Sequence, residues 1–150
     1  MTTRAAAKVV RILLIEDNLG DVELTREALT MSRILNDFHV AGDGIQALAM
    51  LEEELARGGE ELPDLILLDL NLPRMDGREV LAKLKSTSRL KRIPIVVLTS
   101  SQAEIDIIAS YDLHANCFIT KPIDFVQFIN VVRSIEDFWF TIVRLPPQKD

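Results

Sequence analysis

The chain has one cysteine, one tryptophan and one tyrosine in 150 residues, no run of basic residues and no apolar stretch of membrane-spanning length. Each scarcity excludes something. The lone Cys117 cannot close an internal disulfide; between Asn116 and Phe118 in a short apolar run, it reads as a packed core thiol in a reducing cytoplasm. With 17 Lys+Arg against 23 Asp+Glu and a net charge of −6, no part of the chain could neutralise a phosphate backbone, so no nucleic acid is expected as a partner. Residues 1–8 offer only three alanines as an apolar core, too little for a secretory segment, so the protein is expected to be soluble, cytoplasmic and without a membrane partner. One domain fits this length, with room for a real core and none for a second folded unit.

What is present is organised around Pro63 to Gly77. Leu65 to Leu68 is an unbroken apolar run that does not alternate, as suits a central strand covered on both faces. Asp69 closes it, ahead of a loop punctuated by Pro73 and Gly77, which puts its carboxylate at the strand's carboxyl end, where open α/β sheets place ligands. An earlier run, Val9 to Ile15, ends in acid too, at Glu16-Asp17. Leu24, Ala28, Met31 and Leu35 then recur at helical spacing, completing a βα unit.

Phe38 to Ala41 alternates like an edge strand, and Asp43-Gly44 introduces a helix carrying Ala47, Leu48, Leu51 and Leu55. The acidic stretches Glu52-Glu53-Glu54 and Gly58-Gly59-Glu60-Glu61 read as a solvated helix end and loop. A short helix with Val80, Leu81 and Leu84 begins near Asp76-Gly77. The run from Ile93 to Leu98 is a further strand, ending in Thr99-Ser100. Ser101 to Glu104 has the spacing of a capping box, opening a helix with Ile105, Ile108 and Ala109 inward. Asn116 to Thr120 is the fifth strand, with Lys121-Pro122 at its end, and a long helix from Asp124 to about Val143 follows. Five strands alternating with helices predict a parallel α/β sandwich.

Four strands would then deliver Glu16 and Asp17, Asp69, Thr99 and Lys121 to one sheet edge. Singly, each has a structural role open to it: a strand-end or helix-start acid, a cap, a surface cation. Together they have a chemistry. Three carboxylates brought close repel one another, a divalent cation would offset them, and oxygen ligands of this kind suit Mg²⁺. A hydroxyl and an ammonium beside it would hold the oxygens of an incoming phosphoryl group, with Asp69 as nucleophile.

The motifs Leu14-Ile15-Glu16-Asp17-Asn18, Leu67-Leu68-Asp69-Leu70-Asn71-Leu72-Pro73-x-Met75-Asp76-Gly77, Pro94 to Ser100 and Lys121-Pro122 resemble the receiver domain of bacterial two-component response regulators. The resemblance implies a flavodoxin-like, doubly wound, five-stranded parallel sheet of order 2-1-3-4-5 with flanking helices and an extended C-terminal helix. It implies a domain over residues 9–145, between a flexible segment, 1–8, and a tail, 146–150. It implies that Asp69 is the phosphoacceptor, taking a phosphoryl group from a sensor histidine kinase. Asp17 would ligate Mg²⁺, Glu16 would hold a metal-bound water, and the Asn71 carbonyl would complete the protein's share, with Asp69. Thr99 would hydrogen-bond the phosphoryl oxygen, Lys121 would pair with it, and the Lys121–Pro122 bond would be cis. Phe118 occupies the family's switch position, moving with Thr99, although core packing alone would also account for it.

Asn18-x-Gly20-Asp21-Val22, the long 58–61 connection and Phe138-Trp139-Phe140 look like the small single-domain regulators that partner phytochrome-type kinases. With the sequence ending soon after Leu145-Pro146-Pro147, a DNA-binding domain is not expected, and output is expected from the domain itself. Of its eight aromatics, Phe125, Phe128, Phe138, Trp139 and Phe140 lie in the last helix, a pattern that predicts an isologous homodimer. An enzyme is not expected: an Asp-nucleophile phosphatase would carry a second Asp where Asn71 stands. A flavin or nucleotide binder is not expected either, since Glu16-Asp17 would repel the ligand's phosphate. The alternative reading is a constitutive dimeric scaffold with little phosphorylation-dependent output.

Overall fold

Apolar runs without alternation are buried only where helices cover both faces of the sheet they form. The computed structural model describes residues 9–32, 35–100, 117–121, 124 and 126–134, apart from the side chain of Cys117. In chain order the elements are β1 (Val10–Ile15), α1 (Leu19–Ser32), β2 (Asn36–Ala41), α2 (Gly44–Ala56), β3 (Leu65–Asp69), α3 (Gly77–Ser86), β4 (Ile95–Thr99) and β5 (Cys117–Thr120). A further helical stretch covers 126–134. The strands form one parallel sheet of order β2-β1-β3-β4-β5, the expected flavodoxin-like arrangement. The capping box at 101–104 and its helix, Asn116, Pro122, Phe125 and the last helix beyond 134, with Phe138, Trp139 and Phe140, lie outside the described residues, as do 1–8.

Alternate strand residues feed two cores. Leu13, Ile15, Ile66, Leu68, Ile95 and Val97 pack under α2 and α3 with Ala47, Leu51, Val80, Leu81 and Leu84. Ile12, Leu14, Leu65, Leu67, Val96, Leu98 and Ile119 pack on the other face with Val22, Ala28 and Leu29 of α1 and with Phe128 and Val132. Full burial of such side chains stabilises the fold by roughly 1.5–3 kcal/mol each. β2, at one edge, alternates in burial.

Two expectations need correction. The apolar spacing on α1 pointed to Leu24, Met31 and Leu35, yet these are 37%, 57% and 56% exposed. The buried face is Val22, Thr25, Ala28, Leu29 and Ser32, because small residues let the helix lie close to the sheet. Their hydroxyls are satisfied locally, Thr25 Oγ1 donating to the Asp21 carbonyl at 2.8 Å and Ser32 Oγ to that of Leu29 at 2.7 Å. Glu54, taken as part of a solvated acidic run, is buried. It accepts from Arg57 at 2.7 Å and from the Glu61 backbone N–H at 2.9 Å, and these hold its carboxyl below the usual range.

The edge where the strands begin carries charges of both signs. Arg11, Arg89 and Arg92 line a cleft with Pro63, Asp64 and Pro94, and the Asp64 carboxylate accepts from the Arg11 backbone N–H at 2.9 Å. At the opposite edge the 70–77 loop folds back so that the Gly77 N–H donates to the Leu70 carbonyl at 3.1 Å. A Cβ on Gly77 would stand 2.6 Å from the Asp69 carbonyl oxygen and from Leu70 Cα, both backbone atoms, so the loop would have to shift. Gly77→Ala is therefore expected to destabilise by about 1–3 kcal/mol in urea unfolding. An unchanged midpoint would mean the loop has slack.

Candidate functional site

In a sheet of this order the strand sequence reverses between β1 and β3, which opens a crevice beyond their carboxyl ends. Ile15 pairs in register with Leu68, so Glu16 stands level with Asp69 across that crevice. Thr99, fully buried at the end of β4, accepts the Lys121 backbone N–H at 2.8 Å, which brings Lys121 to the same edge. Glu16 and Asp69 are buried and Asp17 exposed, and one carboxylate oxygen from each of the three lies within 4.8 Å of the others.

Lys121 closes the group. Its Nζ donates to Asp21 Oδ2 at 2.7 Å and to Glu16 Oε2 at 3.1 Å, and lies 3.3 Å from Asp69 Oδ2. Glu16 Oε1 is 3.0 Å from the same nitrogen, but without the angle of a hydrogen bond, and it is buried with no hydrogen-bond partner among the described residues. Asp69 Oδ1 accepts the Asn71 backbone N–H at 3.0 Å, which turns the chain sharply after β3. That turn continues through Arg74, whose φ of 70° is a left-handed conformation that an Arg adopts only under strain. Arg74 Nε stands 3.4 Å from Asp43 Oδ2, at the N-cap of α2.

The crowding shows in the titration of the site. Burial, then the Asp69 carboxyl, pushes Glu16 up to about 8 against the pull of Lys121. Burial pulls Lys121 down, but Asp21, Glu16 and Asp69 outweigh it and leave the ammonium above its ordinary value. Because folding raises the Glu16 value, the metal-free fold binds an extra proton between about 4.5 and 8, and the stability this confers is lost as pH rises through that window. In urea unfolding under chelator, the wild-type midpoint should fall between pH 5 and 8. Glu16→Gln should flatten that slope, and a slope unaltered by the substitution would contradict it.

The structure thus brings Glu16, Asp17, Asp69 and Lys121 together at one sheet edge, with the Thr99 backbone bonded to that of Lys121. The Asn71 side chain is exposed, its backbone N–H being the part fixed at the site. Phe118 is half-buried against the core under α2 and α3. One member was missed. Asp21, noted in the sequence only as part of Asn18-x-Gly20-Asp21-Val22, makes the shortest side-chain contact to Lys121. Its place four residues after Asp17, in the first turn of a helix leaving the same edge, was the available signal.

Residues 12–133 match the family described as response regulator receiver domain. The chain belongs to the response regulator receiver family. Receiver domains of this kind are signalling proteins rather than enzymes. This one is similar to Response regulator Rcp1 of Synechocystis sp., 47% identical over 135 residues that cover 90% of this chain and 92% of the relative. A Mn²⁺-bound form of Rcp1 superimposes with a TM-score of 0.70 over 91% of this chain and 99% of that one. The phosphorylated cyanobacterial phytochrome response regulator RcpA is 48% identical, with a TM-score of 0.72 over 89% of this receiver and 96% of RcpA. The bacteriophytochrome response regulator RtBRR is 41% identical, with a TM-score of 0.79 over 93% and 86%. Among the described residues of the receiver, no helix is long and apolar enough to cross a membrane.

Proposed function

We propose that this receiver accepts a phosphoryl group on Asp69 from a phosphohistidine of a sensor histidine kinase, in a Mg²⁺-dependent reaction. The observation that carries the proposal is the meeting of Glu16, Asp17 and Asp69 within 4.8 Å beside an ammonium 3.3 Å from Asp69. The donor set fits a hard dication: all its ligand atoms are oxygens, and one buried carboxylate oxygen, Glu16 Oε1, has no hydrogen bond. Asp17, Asp69 and Glu16, with the Asn71 carbonyl, would hold it. Bound there, it supplies positive charge that lets carboxylates and a phosphoryl group share one site.

The chain's own groups carry the transfer. An Asp69 carboxylate oxygen forms a bond to phosphorus as the bond from phosphorus to the donor imidazole breaks, and the imidazole leaves with a proton taken up from water. Lys121 pairs with one phosphoryl oxygen and Thr99 donates its hydroxyl to another. Movement of Thr99 is read out through Phe118, biasing contacts with other proteins, in a domain that pairs with a second copy through Phe138, Trp139 and Phe140. The likeness to RcpA and RtBRR supports a phytochrome-type kinase as the partner, and the lone cysteine supports a cytoplasmic setting. Incubating the protein with acetyl phosphate and Mg²⁺ should add one phosphoryl group by intact mass, at Asp69. Absence of a base-labile adduct on the wild type would refute the proposal.

A further inference from the structure

An ammonium has three protons to donate, and here it faces three carboxylates. The contacts are unequal: 2.7 Å to Asp21, 3.0 and 3.1 Å to the two oxygens of Glu16, and 3.3 Å to Asp69. The shortest goes to the carboxylate that lies outside the cluster of Glu16, Asp17 and Asp69. Asp21 is firmly held. Its backbone N–H donates to Asn18 Oδ1 at 2.9 Å, and its carbonyl accepts from the buried Thr25 hydroxyl at 2.8 Å. Its side chain is 23% exposed, whereas that of Asp69 is 3% exposed. Coulomb attraction alone would draw a cation deeper, toward the buried Asp69, where solvent screens least. The ammonium instead lies closest to the rim.

We infer that Asp21 is a positioning residue that draws the Lys121 ammonium toward α1 and keeps it from closing on Asp69, so that its contacts to Glu16 and Asp69, at 3.0 and 3.3 Å, stay loose enough for a divalent cation to displace. The inference rests on the phosphoacceptor reading above and extends it to a residue of the first turn of α1. A lysine free to settle on Asp69 and Glu16 would compete with the dication for the same oxygens. A lysine tethered by Asp21 stays near enough to meet a phosphoryl oxygen without blocking the site.

The test is Mg²⁺ affinity by titration calorimetry on the full chain, for wild type, Asp21→Asn, Lys121→Met and the double variant. Asp21→Asn is expected to weaken Mg²⁺ binding about fivefold when Lys121 is present and less than about twofold when Met replaces it. Asp21→Glu, which keeps the charge, should recover most of the loss. Equal losses in both backgrounds would reduce Asp21 to a distant negative charge and overturn the inference. Should Lys121→Met not fold, a crystal structure of Asp21→Asn decides: Nζ should close on Asp69 to about 2.8 Å, and an unmoved ammonium overturns it. A wild type that takes the acetyl phosphate label while the losses are equal sinks only this inference. One that binds no Mg²⁺ and takes no label sinks the phosphoacceptor reading as well.

Discussion

Asp69→Asn is expected to end phosphoryl uptake altogether while leaving the fold intact. An amide oxygen is too weak a nucleophile to displace a leaving group from phosphorus, and no neighbour can substitute: both oxygens of Glu16 lie against the Lys121 ammonium, and Asp17 lies at the exposed rim. The fold should survive because the Asn71 backbone N–H keeps an oxygen acceptor at position 69 and because one negative charge is removed from a crowded group. In chelator, the variant should be at least as stable as wild type. Mg²⁺ should stabilise it far less than wild type, since stabilisation by a ligand follows its affinity for the folded state. Intact mass after acetyl phosphate treatment and urea unfolding with and without Mg²⁺ check both halves. Label on the variant would place the acceptor elsewhere.

Removing the ammonium should do the opposite. Lys121 is the cation that compensates Glu16, Asp21 and Asp69, and its side chain is only 15% exposed. Taking one partner out of a buried ion cluster leaves charges with neither water nor a counter-ion, and Lys121→Met is expected to cost about 3 kcal/mol in chelator. Carboxyl protonation relieves part of this at low pH, so the deficit should grow as pH rises. Millimolar Mg²⁺ should restore part of the lost stability by supplying the missing positive charge. A variant as stable as wild type in chelator would show that water already screens the cluster.

The strands and the site could be read from the sequence for one physical reason. Central parallel strands are dry on both faces, so Leu65 to Leu68 and Ile95 to Leu98 appear as unbroken apolar runs, and the residue that ends each run lies at the ligand edge. Asp69, Thr99 and Lys121 were found that way. The face of α1 was not, because apolar spacing weighs Leu24 and Met31 above Ala28, while close packing on the sheet selects for small size. Glu54 was hidden in a run of three glutamates, where nothing local distinguishes the one that turns inward to Arg57 and Glu61. Asp21 escaped because a strand-end rule does not look sideways into the first turn of a helix. The left-handed Arg74 has no signature at all, since its conformation is imposed by the loop between Asp69 and Gly77.

The acids at the edge where the strands end give the crevice a field. Glu16, Asp17, Asp21 and Asp69 gather there around one lysine, in a chain of net charge −6. Such crowding focuses negative potential over the crevice. Dications would be concentrated there before they touch a ligand, and an incoming phosphorylated partner would be turned away unless it brought its own positive surface. Both effects fade as added salt shortens the reach of the field, so capture rates should be the first property of this domain to respond to ionic strength.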